Sequence, residues 1–163
     1  MLKHAYLWVR GVSSQDFSNL LLPAPLQRLL DYWQSKQNGR IMPSRLDINP
    51  VEMKAFLSHI VLFDVEAGQR LRIRLAGTMA VEAYGSEITG RYLEDLELGD
   101  RREQIMAAHA QCIASRAPYY WSEIHTRKTD SKRLRIDHID APLSADGETV
   151  NMLLVGAAFT VLK

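Results

Sequence analysis

The chain has 163 residues, 47% of them hydrophobic, a length that fits one domain with a short extension. Its formal net charge is +1, so no excess of charge favours nucleic acid or an anionic membrane as a partner. Cys112 is the single cysteine, which excludes an internal disulfide and favours a reducing compartment. The apolar run that begins at Ala5 is cut off by Arg10 and is too short to span a bilayer. We therefore expect a cytoplasmic protein without membrane insertion.

The first predicted element is an amphipathic helix within residues 1–38, a segment that we treat as an extension ahead of a domain at 39–163. Its apolar stripe recurs at helical spacing and consists of Leu26, Leu29, Leu30 and Trp33. Such a stripe packs either on the domain or on a second copy of the chain. It is therefore the candidate interaction helix, for passing on a signal or for forming a homodimer.

Residues 42–90 combine helix-start signals with two strands. Asn49 and Pro50 suit the N-cap and the first position of a short helix. Strands are predicted at 59–65 and 70–75, and the second alternates strictly between aliphatic and arginine side chains. Such alternation indicates a half-buried antiparallel sheet. A brief helix at 79–84 follows before a terminating glycine.

The second half of the chain contains the longest helix, from 100 to about 115, and three strands. We predict these strands at 119–126, 134–143 and 150–161, and the turn at Asp146-Gly147 is a strong hairpin signal. Short hairpins make neighbouring strands antiparallel, while the long middle connection lets the last strand lie beside the first. The prediction is an α+β fold in which a five-stranded antiparallel sheet carries helices on one face.

Particular residues also carry a family resemblance. The segment from Pro43 to Pro50 resembles the P-S-R-x-D-x-x-P opening of a family of single-domain bacterial PAS proteins. Residues 74–78, 85–90 and 140–143 fit later parts of the same pattern. The resemblance implies a PAS-like fold and a stand-alone sensory or adaptor module, found mostly in alphaproteobacteria, with some members linked to motility and cell-cycle signalling. It implies no shared ligand, and the cofactor stays unknown.

A PAS-like order of elements leaves a space between the sheet and the helices that can hold a small molecule. The side chains expected near that space are Met79, Tyr84, Leu93, Met106, His109 and Trp121. They form a candidate ligand pocket, or they fill an ordinary core. His109 has three interpretations: a ligand to haem iron, a partner for a polar group of a ligand, or a core histidine bonded within the protein.

Other polar groupings are less informative. Alternation places Glu123 and His125 on one face of their strand, and His138 and Asp140 on one face of the next. The hairpin register decides whether these side chains meet, so we predict no metal site. The arginines of the strand at 70–75 form a basic face, which is usually a solvated sheet surface.

The sequence lacks the glycine-rich phosphate loop, the nucleophile elbow and the zinc-protease motif of common enzymes, and we expect no catalysis. The predicted function is a PAS-type sensory or adaptor module that binds a small ligand, a partner protein or both, and acts in trans on a separate signalling protein. Two alternatives stay open. One is a haem sensor through His109, and the other is a small cone-shaped isomerase with Asp64 or Asp137 as its base.

Overall fold

The computed structural model describes residues 12–127 and 130–163. In these ranges an antiparallel sheet has the strand order β1-β4-β5-β6-β2-β3. The strands are β1 (Val12–Ser13), β2 (Ile60–Val65), β3 (Leu71–Ala76), β4 (Tyr119–Thr126), β5 (Arg133–Leu143) and β6 (Met152–Val161). The α-helices are α1 (Ala24–Ser35), α2 (Thr78–Tyr84) and α3 (Arg102–Ser115). Within the described ranges, no helix combines the length and the hydropathy that a membrane crossing requires.

The predicted five-stranded antiparallel sheet is confirmed. All five strands form, and β6 lies beside β2, as the long middle connection suggested. β1 adds two residues at the free edge of β4. A pair of residues is too short a run for alternation to reveal, so β1 has no signal in the sequence.

Different helices cover the two faces of the sheet. On β6, Gly156 points towards α1, because a Cβ built on it would lie 2.6 Å from Cδ2 of Leu29. Its neighbours Val155 and Ala157 point to the opposite side, where they line a cavity with side chains of α2 and α3. We call the α1 side of the sheet the back face and the side of α2 and α3 the front face.

The apolar stripe of α1 is buried on the back face. Leu26, Leu29, Leu30 and Trp33 all belong to the main hydrophobic core together with residues of the sheet. The indole Nε1 of Trp33 donates a hydrogen bond to the backbone oxygen of Pro142 over 2.8 Å. The candidate interaction stripe is thus covered by the chain's own sheet, and residues 24–35 share one core with the domain that follows.

The short helix predicted at Pro50 does not form. Residues 51–56 make successive turns, closed by backbone hydrogen bonds between residues three apart. The Glu52 side chain pairs with Lys36 in the segment after α1, with 2.6 Å between the charged atoms. The turns replace the backbone hydrogen bonds between residues four apart that a helix would have made.

The Pro43–Pro50 motif is nevertheless a local structural device. The backbone N–H of Ser44 donates to Asp47 Oδ2 over 2.7 Å, and the Ser44 side chain completes a capping box around a single 3-10 turn. Asp47 also pairs with Arg40, with 2.7 Å between the charged atoms. The motif therefore fixes how the chain passes from α1 to β2.

Candidate functional site

A partly open cavity of about 120 Å³ lies on the front face of the sheet. Strands β2, β4, β5 and β6 contribute one wall, and α2, α3 and the 3-10 turns between them contribute the other. Most of the lining is aliphatic or aromatic. The polar side chains in the lining are Arg101, His109, Glu123, His125 and His138.

Four of the six residues proposed for a pocket line this cavity: Tyr84, Leu93, His109 and Trp121. Met79 and Met106 are half-buried and lie outside the lining. Each is one residue away from a position that does face the cavity, Ala80 on α2 and Ile105 on α3. One residue along a helix is a rotation of about 100°, which turns both methionines away.

The sequence did not identify Arg101, Glu123 and His138 as cavity residues. The strand register explains why Glu123 and His138 reach it, since His138 pairs with Trp121 and both point to the front face. The His138 and Trp121 rings stack at 3.9 Å with an interplanar angle of 5°. Alternation had placed these side chains on the right faces, but only the register could show which of them meet.

His109 is held by a buried carboxylate. Its Nδ1 lies 2.6 Å from Oδ2 of Asp140, a side chain that is 0% exposed. The other carboxylate oxygen accepts a hydrogen bond from Nε1 of Trp121 over 3.1 Å. The imidazole also packs against Phe63, with ring centroids 5.1 Å apart. Three residues on three strands therefore fix the orientation of one imidazole in the cavity wall.

A second polar cluster lies on the same face. Arg101, just before α3, donates to both carboxylate oxygens of Glu123 over 3.0 Å. His138 Nε2 lies 3.1 Å from Oε1 of the same carboxylate. Burial by itself would raise the pKa of Glu123, but the hydrogen bond from His138 and the charge of Arg101 outweigh it and lower this pKa below its ordinary value. Glu123 is therefore a stable carboxylate at neutral pH.

Cys112 lies one turn beyond His109 on α3 and is fully buried. Burial, with a smaller contribution from the charge of Asp140, raises the pKa of its thiol well above the ordinary value. Sγ lies 3.4 Å from the backbone oxygen of Asp140. A protonated, buried thiol is a poor nucleophile, so Cys112 acts here as a core residue.

The alternatives to a ligand cavity find little support in this geometry. Asp64 is bound by Arg74 at 2.9 Å, and Asp137 accepts a hydrogen bond from the Tyr120 hydroxyl at 2.6 Å; neither lines the cavity. An isomerase base would need an apolar cavity around its carboxylate. Across residues 12–127 and 130–163, no three His, Cys, Asp or Glu side chains are grouped to hold a metal ion.

Haem also does not fit this cavity. Pockets for drug-sized ligands occupy roughly 300–1,000 Å³, and haem is at least as large as such ligands. The volume on the front face is about 120 Å³. His109 therefore lacks the space beside it that a haem iron and its macrocycle would require in this arrangement.

Comparison with known proteins agrees with this architecture. A family model described as PAS domain matches residues 22–157, which include α1 and the strands from β2 to most of β6. No curated protein matches the chain with significance. The matched residues cover well over half of the chain and include α1 on the back face and most of β6. The chain therefore belongs to the PAS-domain family.

Proposed function

We propose that this PAS-domain protein binds a small molecule in the front-face cavity and reports its presence to a separate signalling protein. PAS domains are generally sensory modules without catalysis, which supports the sensory part of the proposal. The observation that carries it is a mostly apolar cavity with one histidine held in a fixed orientation by a buried carboxylate. Ligand sites in proteins commonly have this composition, a largely apolar lining with a few placed polar groups.

A second observation supports a ligand. Nδ1 of His138 is buried and has no hydrogen-bond partner among the described residues. Most buried polar atoms in folded proteins do have a partner, which is often an ordered water or a ligand. Because His138 belongs to the cavity lining, a bound molecule or a water that it orders is a natural source for the missing hydrogen bond.

The signal would leave through the sheet. Val155 and Ala157 line the cavity, while Gly156 between them contacts Leu29 on the back face without an intervening side chain. A ligand that displaces β6 therefore displaces the surface on which α1 rests. We propose that α1 reports this shift through its exposed side, which carries Arg28 and Asp31, to a partner protein or to a second copy of the chain.

We also propose a cytoplasmic location and a bacterial family for the protein. A lone, buried thiol is typical of proteins in a reducing compartment, which supports a cytoplasmic location. The Pro43–Pro50 motif supports a place among single-domain bacterial PAS proteins of the alphaproteobacterial type, and we propose that the protein acts on a separate signalling protein in trans.

Native mass spectrometry of the full chain tests the binding. We expect the purified protein to carry a small molecule that is released on unfolding, and the same spectrum reports the oligomeric state. Ala157→Leu should abolish retention of the molecule, because the larger side chain occupies the cavity. Thr160→Leu, at the exposed end of the same strand, should leave retention unchanged. Equal retention by both variants would locate the molecule elsewhere and contradict the proposal.

Hydrogen–deuterium exchange tests the signal path. Ligand binding should change the exchange of the α1 amides as well as those around the cavity. A response that stops at the front face would leave the binding intact but contradict the role given to α1.

A further inference from the structure

Whether Nε2 of His109 carries a hydrogen depends on how the charge of Asp140 is balanced. Asp140 is fully buried, and Trp121 supplies a hydrogen to only one of its oxygens. The guanidinium in the cavity lining, that of Arg101, is engaged with Glu123 instead. Among the described contacts, His109 is therefore the group that can neutralise Asp140.

An uncompensated charge in a dry interior is strongly unfavourable, so the His109–Asp140 pair is best stabilised with no net charge. Two arrangements satisfy this condition. Either His109 is protonated and Asp140 is ionised, or the shared proton lies on Asp140 and the imidazole is neutral. In both arrangements Nδ1 faces Asp140, and Nε2 carries a hydrogen.

The volume of the cavity limits the size of the ligand. An apolar cavity of about 150 Å³ holds one benzene molecule. The cavity beside His109 measures about 120 Å³ and has the rings of Phe63 and Trp121 in its wall. A single six-membered ring is thus near the upper limit of what it holds without moving α3.

From the hydrogen on Nε2 and the size of the cavity, we infer that the ligand is a molecule of one ring or less that carries a hydrogen-bond acceptor, and that His109 donates to that acceptor through Nε2–H. The inference rests on the proposed function, because it concerns the ligand of the same cavity. Asp140 is then a positioning residue, which keeps Nδ1 occupied and Nε2 facing the ligand.

Pyridine and benzene are matched probes, since they share one shape and differ by one acceptor nitrogen. We would titrate each into the labelled protein at a mildly alkaline pH, where pyridine is uncharged, and follow the amide resonances of the cavity residues. Both should bind saturably, and the two-ring analogue quinoline should not. Binding of quinoline as tight as that of pyridine would overturn the size limit.

Variants then identify the donor. His109→Phe keeps an aromatic ring at this position, and it should weaken pyridine about tenfold relative to benzene, the worth of one hydrogen bond. Gln111→Phe places the same ring on the exposed side of α3 and should leave the ratio unchanged. An unchanged ratio in His109→Phe would overturn the assignment.

Asp140→Asn tests which nitrogen of His109 carries the hydrogen. The carboxamide oxygen can accept from Trp121 while its N–H donates to His109 Nδ1, which again leaves the hydrogen on Nε2. The preference for pyridine should therefore survive in Asp140→Asn. A preference that appears only in this variant would show that Nε2 lacks a hydrogen in the natural protein.

A long-range ¹H–¹⁵N spectrum of the unmodified protein gives the same answer without any substitution, since it shows directly whether Nε2 of His109 is protonated. A bare Nε2 would overturn the inference. Native mass spectrometry separates this result from the proposed function: a larger molecule retained in the cavity would support ligand sensing and overturn the ligand class stated here.

Discussion

The back and front faces of the sheet are both covered by helices, but they are filled differently. On the back face, Leu26 and Leu29 approach Gly156 so closely that even a Cβ would overlap them. On the front face, α2 and α3 leave a cavity of about 120 Å³ with polar side chains in its wall. The same strand, β6, contributes to both faces. The comparison indicates that stability is concentrated behind the sheet, while the space and the hydrogen-bonding groups for a ligand lie in front.

The largest expected effect comes from emptying the back face. Leu29 is 0% exposed, and Leu29→Ala should lower the free energy of unfolding by about 3 kcal/mol, through lost burial and the cavity left behind. Urea unfolding at neutral pH measures this change. Leu21 is 102% exposed, so Leu21→Ala is the matched control and should change stability little. Similar losses in both variants would contradict a tightly filled back face.

The next effect comes from overfilling the same face. Gly156→Ala should lower the free energy of unfolding by about 2 kcal/mol, because the added methyl meets Leu29 at 2.6 Å. The loss should shrink in a double variant that also carries Leu29→Ala, since that substitution removes the atoms in conflict. Strict additivity of the two losses would show that the contact is not their cause.

On the front face, Glu123→Gln should cost roughly 1.5 kcal/mol at neutral pH, because it removes a charged partner from both Arg101 and His138. The pKa of Glu123 is lowered in the folded chain, so its contribution is present above the ordinary value of 4.5 and is lost as the pH falls through the lowered value. The difference in stability between the natural protein and Glu123→Gln should therefore disappear in acid, as thermal unfolding at several pH values would show. Exposed Glu148→Gln is the control and should show no such closing.

The smallest effect is expected one residue from Gly156. Ala157→Val adds two methyl groups that point into the cavity. It should lower the free energy of unfolding by no more than roughly 0.5 kcal/mol, or raise it slightly through added burial. Parallel urea titrations of Gly156→Ala and Ala157→Val compare the two faces directly. A loss at Ala157 as large as that at Gly156 would show that the front face is as tightly filled as the back.

Much of the fold could be predicted from residue patterns, because strands and amphipathic helices have characteristic periods. The bounds of β4 and the buried stripe of α1 followed from alternation and helical spacing alone. The helix at Pro50 was wrongly predicted. Its start signal is present, since the backbone N–H of Val51 donates to Asn49 Oδ1, but the chain then closes turns between residues three apart. Such start signals suit a 3-10 turn as well as an α-helix, so they do not decide between the two.

The cavity was only partly predictable for a related reason. Periodicity identifies the stripe of a helix that is apolar, but not which position on it borders an empty space, and so Met79 and Met106 were misplaced by one residue. The contact between Trp121 and His138 depends on the register of the β4–β5 hairpin, which the connecting residues do not fix by themselves. The role of Asp140 could not be predicted, because its contact with His109 depends on how α3 packs against the sheet.

The rate at which a thiol reagent modifies Cys112 should report how often the front face opens. Cys112 is the chain's single thiol, it lies on the buried side of α3 against the backbone oxygen of Asp140, and its raised pKa keeps it unreactive while the helix is docked. A thiol reagent can therefore modify the protein only as fast as α3 lifts from the sheet. Since α3 also carries His109, opening of the front face exposes Cys112 as well. A ligand that stabilises the docked position of α3 should therefore slow the modification of Cys112.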